Sequence, residues 1–154
     1  MKRLFRLLAL IVSSILVVEA NAQNVKESEV PISVKSKFVT LYPNAKNVRW
    51  EKENGNFEAE FKAAQTGTSV LFNSSGTHLQ TEVEIPVSTL PNGVKDYVRK
   101  NLSGKKISEA TRITAANGIV TYQAEIGGED YLFDAIGNFV KKEKETDDKE
   151  DDDR

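Results

Sequence analysis

The chain has 154 residues, with 21 Lys and Arg, 23 Asp and Glu, one His and no Cys. This length suits one domain or two small fused units. Without Cys, the chain has no disulfides, no thiol catalysis and no thiolate metal site. Its nearly balanced charge disfavours nucleic-acid binding, which needs a clustered basic surface.

Residues 1–22 have the pattern of a secretory signal peptide. Lys2, Arg3 and Arg6 precede the apolar run Leu7–Val18, and Ala20-Asn21-Ala22 supplies a small-residue cleavage site. A membrane anchor is disfavoured because the run is shorter than the ~20 apolar residues that span a bilayer. We therefore expect export to the periplasm, with release outside the cell as the alternative, and no membrane insertion after cleavage.

The two ends of the exported chain are expected to lie outside the folded body. Residues 23–29 are predicted to be a linker. Residues 145–154 hold seven acidic and two basic side chains, a composition typical of a disordered, solubilising tail. Without leader and tail the body has a net charge of about +1, so its charge indicates no class of partner.

The body contains an internal repeat. FEAEF at residues 57–61 recurs as YQAEI at 122–126, and VLFNSSGTHL at 70–79 recurs as YLFDAIGNFV at 131–140. Upstream, VKSKFVTLYP at 34–43 aligns with VKDYVRKNLS at 94–103. The motifs keep the same order in both halves, which predicts two repeats, at residues 30–85 and 86–144.

Each repeat is predicted to form one helix followed by four short strands, an α+β fold. In the first repeat Ser33 is a candidate N-cap, and Pro43 ends the helical spacing. After the helix, apolar residues recur at every second position, which is typical of a strand, and Asn54-Gly55 indicates a hairpin turn. Short connections favour an antiparallel meander. Because one helix covers only one face of such a sheet, we expect the other face to be open to water.

The series YPNAKNVRW, FEAEF, VLFNSSG, LP, YQAEI and YLFDAIG resembles the PepSY-like, or beta-lactamase-inhibitor-like, family over about residues 30–142. The resemblance implies two tandem units, each with a helix on a four-stranded antiparallel sheet, and implies that the two sheets can join. It gives no inhibitory residue to carry over. Inhibitors of this group shape their loops with disulfides, and this chain has no Cys, so inhibition of a lactamase is not expected.

Glu58 and Glu60 are the first candidate site because residues two apart on a strand share a face. They fit a solvated outer face, a catalytic carboxylate pair or a partner contact. Their counterparts in the repeat are Gln123 and Glu125, so only one acid recurs, and no nearby feature indicates the burial that separates two pKa values. We therefore predict a solvated face.

Leu71 and Leu132 are the second candidate, because each points away from the apolar side chains next to it in its strand. They form either an apolar strip on the open face, suited to a partner, or a structural contact. The predicted partner-binding residues are Arg49, Glu51, Glu58, Glu60, Leu71, Gln80, Glu82, Gln123, Glu125 and Leu132.

Trp50 is expected in the core, and the single His78 in a packing or surface role, because its counterpart in the repeat is Phe139. We predict no catalytic residue, metal or cofactor. The first hypothesis is a non-enzymatic module that binds a protein or peptide of the cell envelope, for example as an inhibitor or regulator of an envelope enzyme. The alternatives are a small-ligand or cation-binding protein and, last, an acid–base hydrolase using Glu58 and Glu60.

Overall fold

The computed structural model describes residues 23–142, so the predicted signal peptide and acidic tail lie outside the described residues. None of the helices within 23–142 is long and apolar enough to cross a membrane. Within residues 23–142 there are two α-helices and nine strands, besides short 3-10 helices at Glu27–Glu29 and Val87–Thr89. The α-helices and strands are β1 (Gln23–Val25), α1 (Ile32–Leu41), β2 (Arg49–Glu53), β3 (Asn56–Ala63), β4 (Thr66–Phe72), β5 (His78–Glu84), α2 (Asn92–Asn101), β6 (Ile107–Ala115), β7 (Val120–Ile126), β8 (Glu129–Asp134) and β9 (Phe139–Lys142).

The nine strands form one antiparallel sheet in which the spatial order follows the chain order from β1 to β9. The predicted α+β class is confirmed. Instead of two four-stranded sheets there is one sheet of nine strands, because β5 pairs with β6 in the register Gln80↔Ala115 to Glu84↔Thr111, and the joining that the resemblance allowed is present. Two strands whose edges are both free leave unpaired backbone groups, and pairing them satisfies those groups.

The segment predicted as a linker contains ordered structure. Gln23–Val25 forms β1 and pairs with β2, and Glu27–Glu29 forms a 3-10 turn before α1. The Lys26 backbone NH donates to the Glu29 carboxylate at 2.8 Å, which closes this turn. β1 could not be predicted from the sequence because three residues, QNV, are too few to show an alternating pattern.

The chain divides into two compact units, and each has its own apolar core. Among the described residues, the first unit comprises 23–64 and Ser69–Leu79, and the second comprises Gln65–Thr68 and 80–142. The first core contains Val30, Val34, Phe38, Trp50, Phe57, Ala59, Phe61, Val70 and Phe72. The second contains Leu90, Val94, Val98, Ala110, Ala124, Ile126, Tyr131 and Phe133.

In the first unit α1 is held on the sheet by aromatic contacts. The ring of Phe38 lies 5.3 Å from that of Trp50 and 5.2 Å from that of Phe61, in both cases edge to face. Such contacts add to the energy of burial. The core position of Trp50 is thereby confirmed. His78 lies 6.0 Å from the Phe72 ring, and its counterpart Phe139 lies 6.2 Å from Phe133, so the two positions share a packing role.

Both helices begin after a proline. Pro31 and Pro91 take the N-cap position of α1 and α2, and neither cap makes a side-chain hydrogen bond. The predicted N-cap Ser33 instead lies inside α1, where its hydroxyl donates to the Ser74 carbonyl at 3.2 Å. The prediction was wrong because this serine fixes the helix to the turn between β4 and β5 and does not cap it.

That turn and its repeat each bring a glycine against the start of a helix. Gly76 and Gly137 have positive φ, +85° and +93°. A Cβ at Gly76 would lie 2.6 Å from the Ser33 carbonyl oxygen, and one at Gly137 would lie 2.7 Å from the Val94 nitrogen. Two independent features favour glycine at each position: the left-handed backbone conformation, and the close approach of the helix, which leaves no room for a Cβ.

We predict that Gly137→Ala destabilises the protein more than Gly104→Ala. Gly104 also has positive φ, +83°, but a Cβ there would meet nothing within 4 Å. In both variants, placing alanine in a left-handed backbone conformation destabilises the folded state by about 1–2 kcal/mol. In Gly137→Ala the steric overlap of the new Cβ with α2 adds roughly 1–3 kcal/mol. Urea unfolding of the two variants and the wild type measures the difference. Equal losses would contradict the close packing of α2 against this turn.

Candidate functional site

The register of β2 and β3 brings four charged side chains together on one face of the first unit. Arg49 lies opposite Glu60, and Glu51 lies opposite Glu58. Residues paired across antiparallel strands share a face, so all four project away from Trp50 and its partner Ala59, which belong to the core beneath α1. We call Arg49, Glu51, Glu58 and Glu60 the charged face.

The carboxylates of the charged face are close together and largely buried. One oxygen from each of Glu51, Glu58 and Glu60 lies within 4.8 Å of the other two. Glu51 is 3 % exposed and Glu58 is 2 % exposed. The predicted solvated face is therefore wrong for Glu58, and the Glu60 side chain is only 14 % exposed. Alternation correctly assigned them to the side opposite the helix, but alternation does not determine whether neighbouring side chains cover that side.

Burial changes the acidity of Glu58. Desolvation disfavours its charged form and is the main reason that its pKa is raised to about 7. A hydrogen bond with Ser69 on β4 acts in the opposite direction, and the charges of Glu60, Glu51 and Glu53 raise the pKa further. The expectation that no burial would separate the acids was wrong, because a strand sequence does not show that Ser69 and Glu51 enclose Glu58.

Arg49 closes the accessible edge of the charged face. Its Nε donates to Glu60 Oε2 at 2.9 Å, its Nη2 donates to the same oxygen, and its Nε lies 3.8 Å from Glu51 Oε1. The hydrogen bond to Glu60 is the main cause of the raised pKa of Arg49. The Arg49 side chain is 51 % exposed and that of Glu60 is 14 % exposed. These two side chains are therefore where the solvent meets the cluster.

The other predicted partner-binding residues are mostly buried as well. Leu71 and Leu132 are buried and belong to neither core cluster, and Gln80, Glu82 and Gln123 are buried too. Leu132 pairs with Gln123, which places both on the face away from the second core. Glu125 is partly exposed. Of the two alternatives for Leu71 and Leu132, their burial favours the structural contact over the open apolar strip.

Two of these buried polar side chains bind each other. In the second unit Gln80 Nε2 donates to Glu82 Oε1 at 2.8 Å. The Ser108 hydroxyl donates to Glu125 Oε1, also at 2.8 Å. The Gln80–Glu82 bond is buried and offsets part of the cost of removing these two polar groups from water, whereas the Ser108–Glu125 bond is exposed.

Ser69 belongs to the site although it was not among the predicted residues. Ser69 precedes Leu71 by two residues on β4 and therefore projects from the same face, next to β3. The alternation of β4 indicates which face Ser69 occupies, but it does not indicate that Ser69 contacts Glu58 on the neighbouring strand.

A second concave feature of the first unit lies at the C-terminal end of α1. This depression, of about 420 Å³, is lined by Phe38, Val39, Tyr42 and Trp50, among others. Lys35 on its rim donates to the Glu27 carbonyl at 3.2 Å, so this cation is already bound by the protein. The charged face is the better candidate because its ionisable groups converge on one another.

The chain matches the model of the family described as "Putative beta-lactamase-inhibitor-like, PepSY-like" over residues 16–66 and 57–141. It belongs to this family. The two matched regions overlap at residues 57–66 and together span most of the chain. No curated protein matches the chain.

Solved structures share the PepSY-like fold at low sequence identity. A periplasmic protein from Bacteroides eggerthii has a TM-score of 0.68 at 16% identity, covering 74% of this chain and 88% of its own. A DUF2874 family protein from Bacteroides uniformis has a TM-score of 0.66 at 18% identity, covering 73% and 88%. A BLIP-like protein from Bacteroides fragilis has a TM-score of 0.58 at 18% identity, covering 72% and 83%. These similarities establish the fold.

We predict that Glu58→Gln removes a pH-dependent loss of stability from the PepSY-like chain. The folded state binds a proton at Glu58 up to a pKa of about 7, whereas the unfolded state releases it near 4.5. The free energy of unfolding therefore falls as pH rises between these values, by on the order of 3 kcal/mol for a shift of this size. Urea unfolding across this pH range measures the difference between variant and wild type.

The repeat supplies the matched control. Gln123 stands at the position of Glu58 in the second repeat, so Glu58→Gln introduces a residue that the same fold already accepts. Glu125→Gln changes the partly exposed acid of that repeat and should leave the slope between pH 4.5 and 7 in place. A slope that persists in Glu58→Gln would refute the assignment to Glu58.

Proposed function

We propose that this PepSY-like chain is an exported, non-enzymatic module that binds a protein or peptide partner in the cell envelope. Inhibition or regulation of an envelope enzyme is one form of this function. Family membership supports the proposal. So do the Bacteroides structures of the same fold, whose names describe a periplasmic protein and a BLIP-like protein. The leader at residues 1–22 supports a periplasmic location.

The observation that carries the proposal is the placement of the Arg49–Glu60 pair over two buried carboxylates. Partly buried charges keep more of their Coulomb energy than exposed ones, because water screens them less. The three acids carry more negative charge than Arg49 alone neutralises when Glu58 is ionised. A partner that presents a Lys or Arg side chain therefore finds a favourable potential at Glu60.

The residues of the predicted site have different roles in the proposed binding of a partner. Arg49 and Glu60 are exposed enough to contact a partner, and Glu125 is the corresponding contact in the second repeat. Glu51 and Glu58 act from beneath through their charge. Leu71, Leu132, Gln80, Glu82 and Gln123 support the sheet face and do not contact the partner, because they are buried.

The same burial argues against the acid–base hydrolase. Glu58 and Glu60 have the separated environments that a catalytic pair uses. A general acid must, however, lie within hydrogen-bond reach of the proton it transfers, and Glu58 is 2 % exposed. The accessible acid, Glu60, is bound by Arg49. This arrangement favours binding over turnover.

We predict that Glu60→Gln weakens partner binding and that Arg49→Ala strengthens it. Glu60 is the proposed acceptor of a partner's basic side chain, whereas Arg49 competes for the same oxygen. Each change should alter affinity by about tenfold, as expected for roughly 1.4 kcal/mol at a partly buried charge. The measurement is binding of a Lys- and Arg-rich peptide, and of proteins retained from an envelope extract, to the immobilised exported chain.

The control for this experiment is Lys37→Ala, which removes an exposed charge from α1 on the opposite side of the sheet. It should leave binding unchanged. Equal binding by wild type, Glu60→Gln and Arg49→Ala would refute the charged face as the contact. If Lys37→Ala strengthens binding as much as Arg49→Ala does, the effect is one of net charge alone.

A second candidate function is cation binding, favoured by the three carboxylate oxygens within 4.8 Å of one another. Carboxylate oxygens are the ligands that Ca²⁺ prefers. If the cluster binds Ca²⁺, the melting temperature rises with Ca²⁺ concentration, because ligand binding stabilises the native state. Glu58→Gln should abolish this rise.

The acidic tail needs its own control in this measurement. A chain that ends at Lys144 lacks the seven acidic residues of the tail but keeps the cluster. A rise that survives this truncation and is lost in Glu58→Gln assigns the ion to the cluster. A rise that is lost on truncation assigns it to the tail and contradicts the cluster as a cation site.

A further inference from the structure

The two Asn-Gly hairpin loops of the chain have different conformations. Asn54-Gly55 joins β2 to β3, and Asn117-Gly118 lies between β6 and β7. Both asparagines are exposed. An Asn-Gly step is the sequence in which a backbone nitrogen most easily reaches the preceding side-chain amide, because glycine adds no side chain that blocks the approach. The local structure then decides which loop reacts.

The first loop leaves the reacting groups unbound. Glu53 pairs with Asn56, so the loop has two residues, and both have positive φ, 50° at Asn54 and 79° at Gly55. This is a type I′ turn. Within residues 23–142, neither the Asn54 carboxamide nor the Gly55 NH makes a hydrogen bond. A Cβ at Gly55 would meet nothing within 4 Å, so the turn is also open around the nitrogen.

The second loop binds both groups. The Gly118 NH donates to the Ala115 carbonyl at 2.8 Å, and the Asn117 Oδ1 accepts the Ile119 NH at 3.1 Å. The first bond holds the proton that must leave the nitrogen, and the second holds the carboxamide toward another backbone group. Both bonds have to break before the nitrogen can attack.

A third Asn-Gly pair is enclosed. Asn92 and Gly93 lie in the first turn of α2, and a Cβ at Gly93 would lie 2.7 Å from the Ile136 carbonyl oxygen. The helical backbone and this contact leave no room for the main chain to rearrange. The three pairs therefore share a sequence and differ only in how far the fold restrains them.

We propose that Asn54 is a site of spontaneous deamidation at the tip of the β2–β3 hairpin. The Gly55 nitrogen attacks the side-chain carbonyl carbon of Asn54, a new C–N bond forms, and the original amide C–N bond breaks. Ammonia leaves with the proton from Gly55, and a cyclic imide remains. One water molecule then opens the imide at either carbonyl, which gives aspartate or isoaspartate. Asparagine is among the thermolabile residues of proteins.

The product would alter the hairpin that carries the charged face. It adds a carboxylate next to Glu53, at the end of the ladder that pairs Glu51 with Glu58. Isoaspartate also adds a carbon to the main chain, which a two-residue turn cannot absorb without changing its geometry. The inference does not depend on the proposed function, since it concerns the turn alone.

The test compares the rates of conversion at Asn54 and Asn117 in the same sample. The exported chain is aged in mildly alkaline buffer, digested and mapped by mass spectrometry, and isoaspartate is labelled with an isoaspartyl methyltransferase. We expect Asn54 to convert severalfold faster than Asn117, and Asn92 to convert most slowly. The same measurement in urea should bring the three rates together, because unfolding removes the restraints that distinguish them.

An Asn54→Gln variant serves as the matched control, since its longer side chain forms the cyclic product far less readily while the amide is kept. It should lose the isoaspartate signal from this hairpin. Equal rates at Asn54 and Asn117 in the folded protein would overturn the proposal. So would an Asn54 that stays unchanged in the folded chain and reacts only in urea.

Discussion

One helix in each repeat can cover only one face of the sheet, and the rest of the structure depends on this constraint. In the first unit Phe38 of α1 meets Trp50 and Phe61 across the interface, so the strands must turn their large apolar side chains toward α1. The period of two then sends the residues between them to the other face. Glu51, Glu58 and Glu60 lie where they do because their neighbours along the strands pack beneath the helix.

The single helix explains why Glu51, Glu58 and Glu60 share one face, and the register of β2 and β3 explains the short distances between their carboxylates. Glu58 faces Glu51 across the ladder, next to Ser69 on β4, and this enclosure makes ionisation costly. A buried carboxyl group that is replaced by an amide of the same shape loses that cost. The second repeat has this replacement, since Gln123 stands at the position of Glu58. The fold therefore does not need the acid, which favours a role for it in binding.

Much of the fold could be predicted from the sequence. Alternation in FEAEF and YQAEI assigned Phe57, Ala59 and Phe61 to the core, and Asn54-Gly55 marked a hairpin. These signals depend on neighbours along the chain. Burial of Glu58 and Leu71, the pairing of β5 with β6, and the strand β1 depend on partners distant in sequence. Ser33 shows the same limit, because its hydroxyl binds Ser74 across 41 positions of the chain instead of capping its own helix.

Duplication separates what the scaffold requires from what one copy adds. The glycine of the β4–β5 turn recurs at Gly137, and both glycines pack against a helix start, so this contact belongs to the scaffold. His78 and Phe139 likewise share a place against an aromatic ring. The Arg49–Glu60 pair over Glu58 has no such copy, because Gln123 is neutral and Glu125 binds Ser108. A charged cluster present in only one of two similar units is not required by the scaffold, which supports the proposed partner contact at this cluster. It directs the search for a partner to β2 and β3.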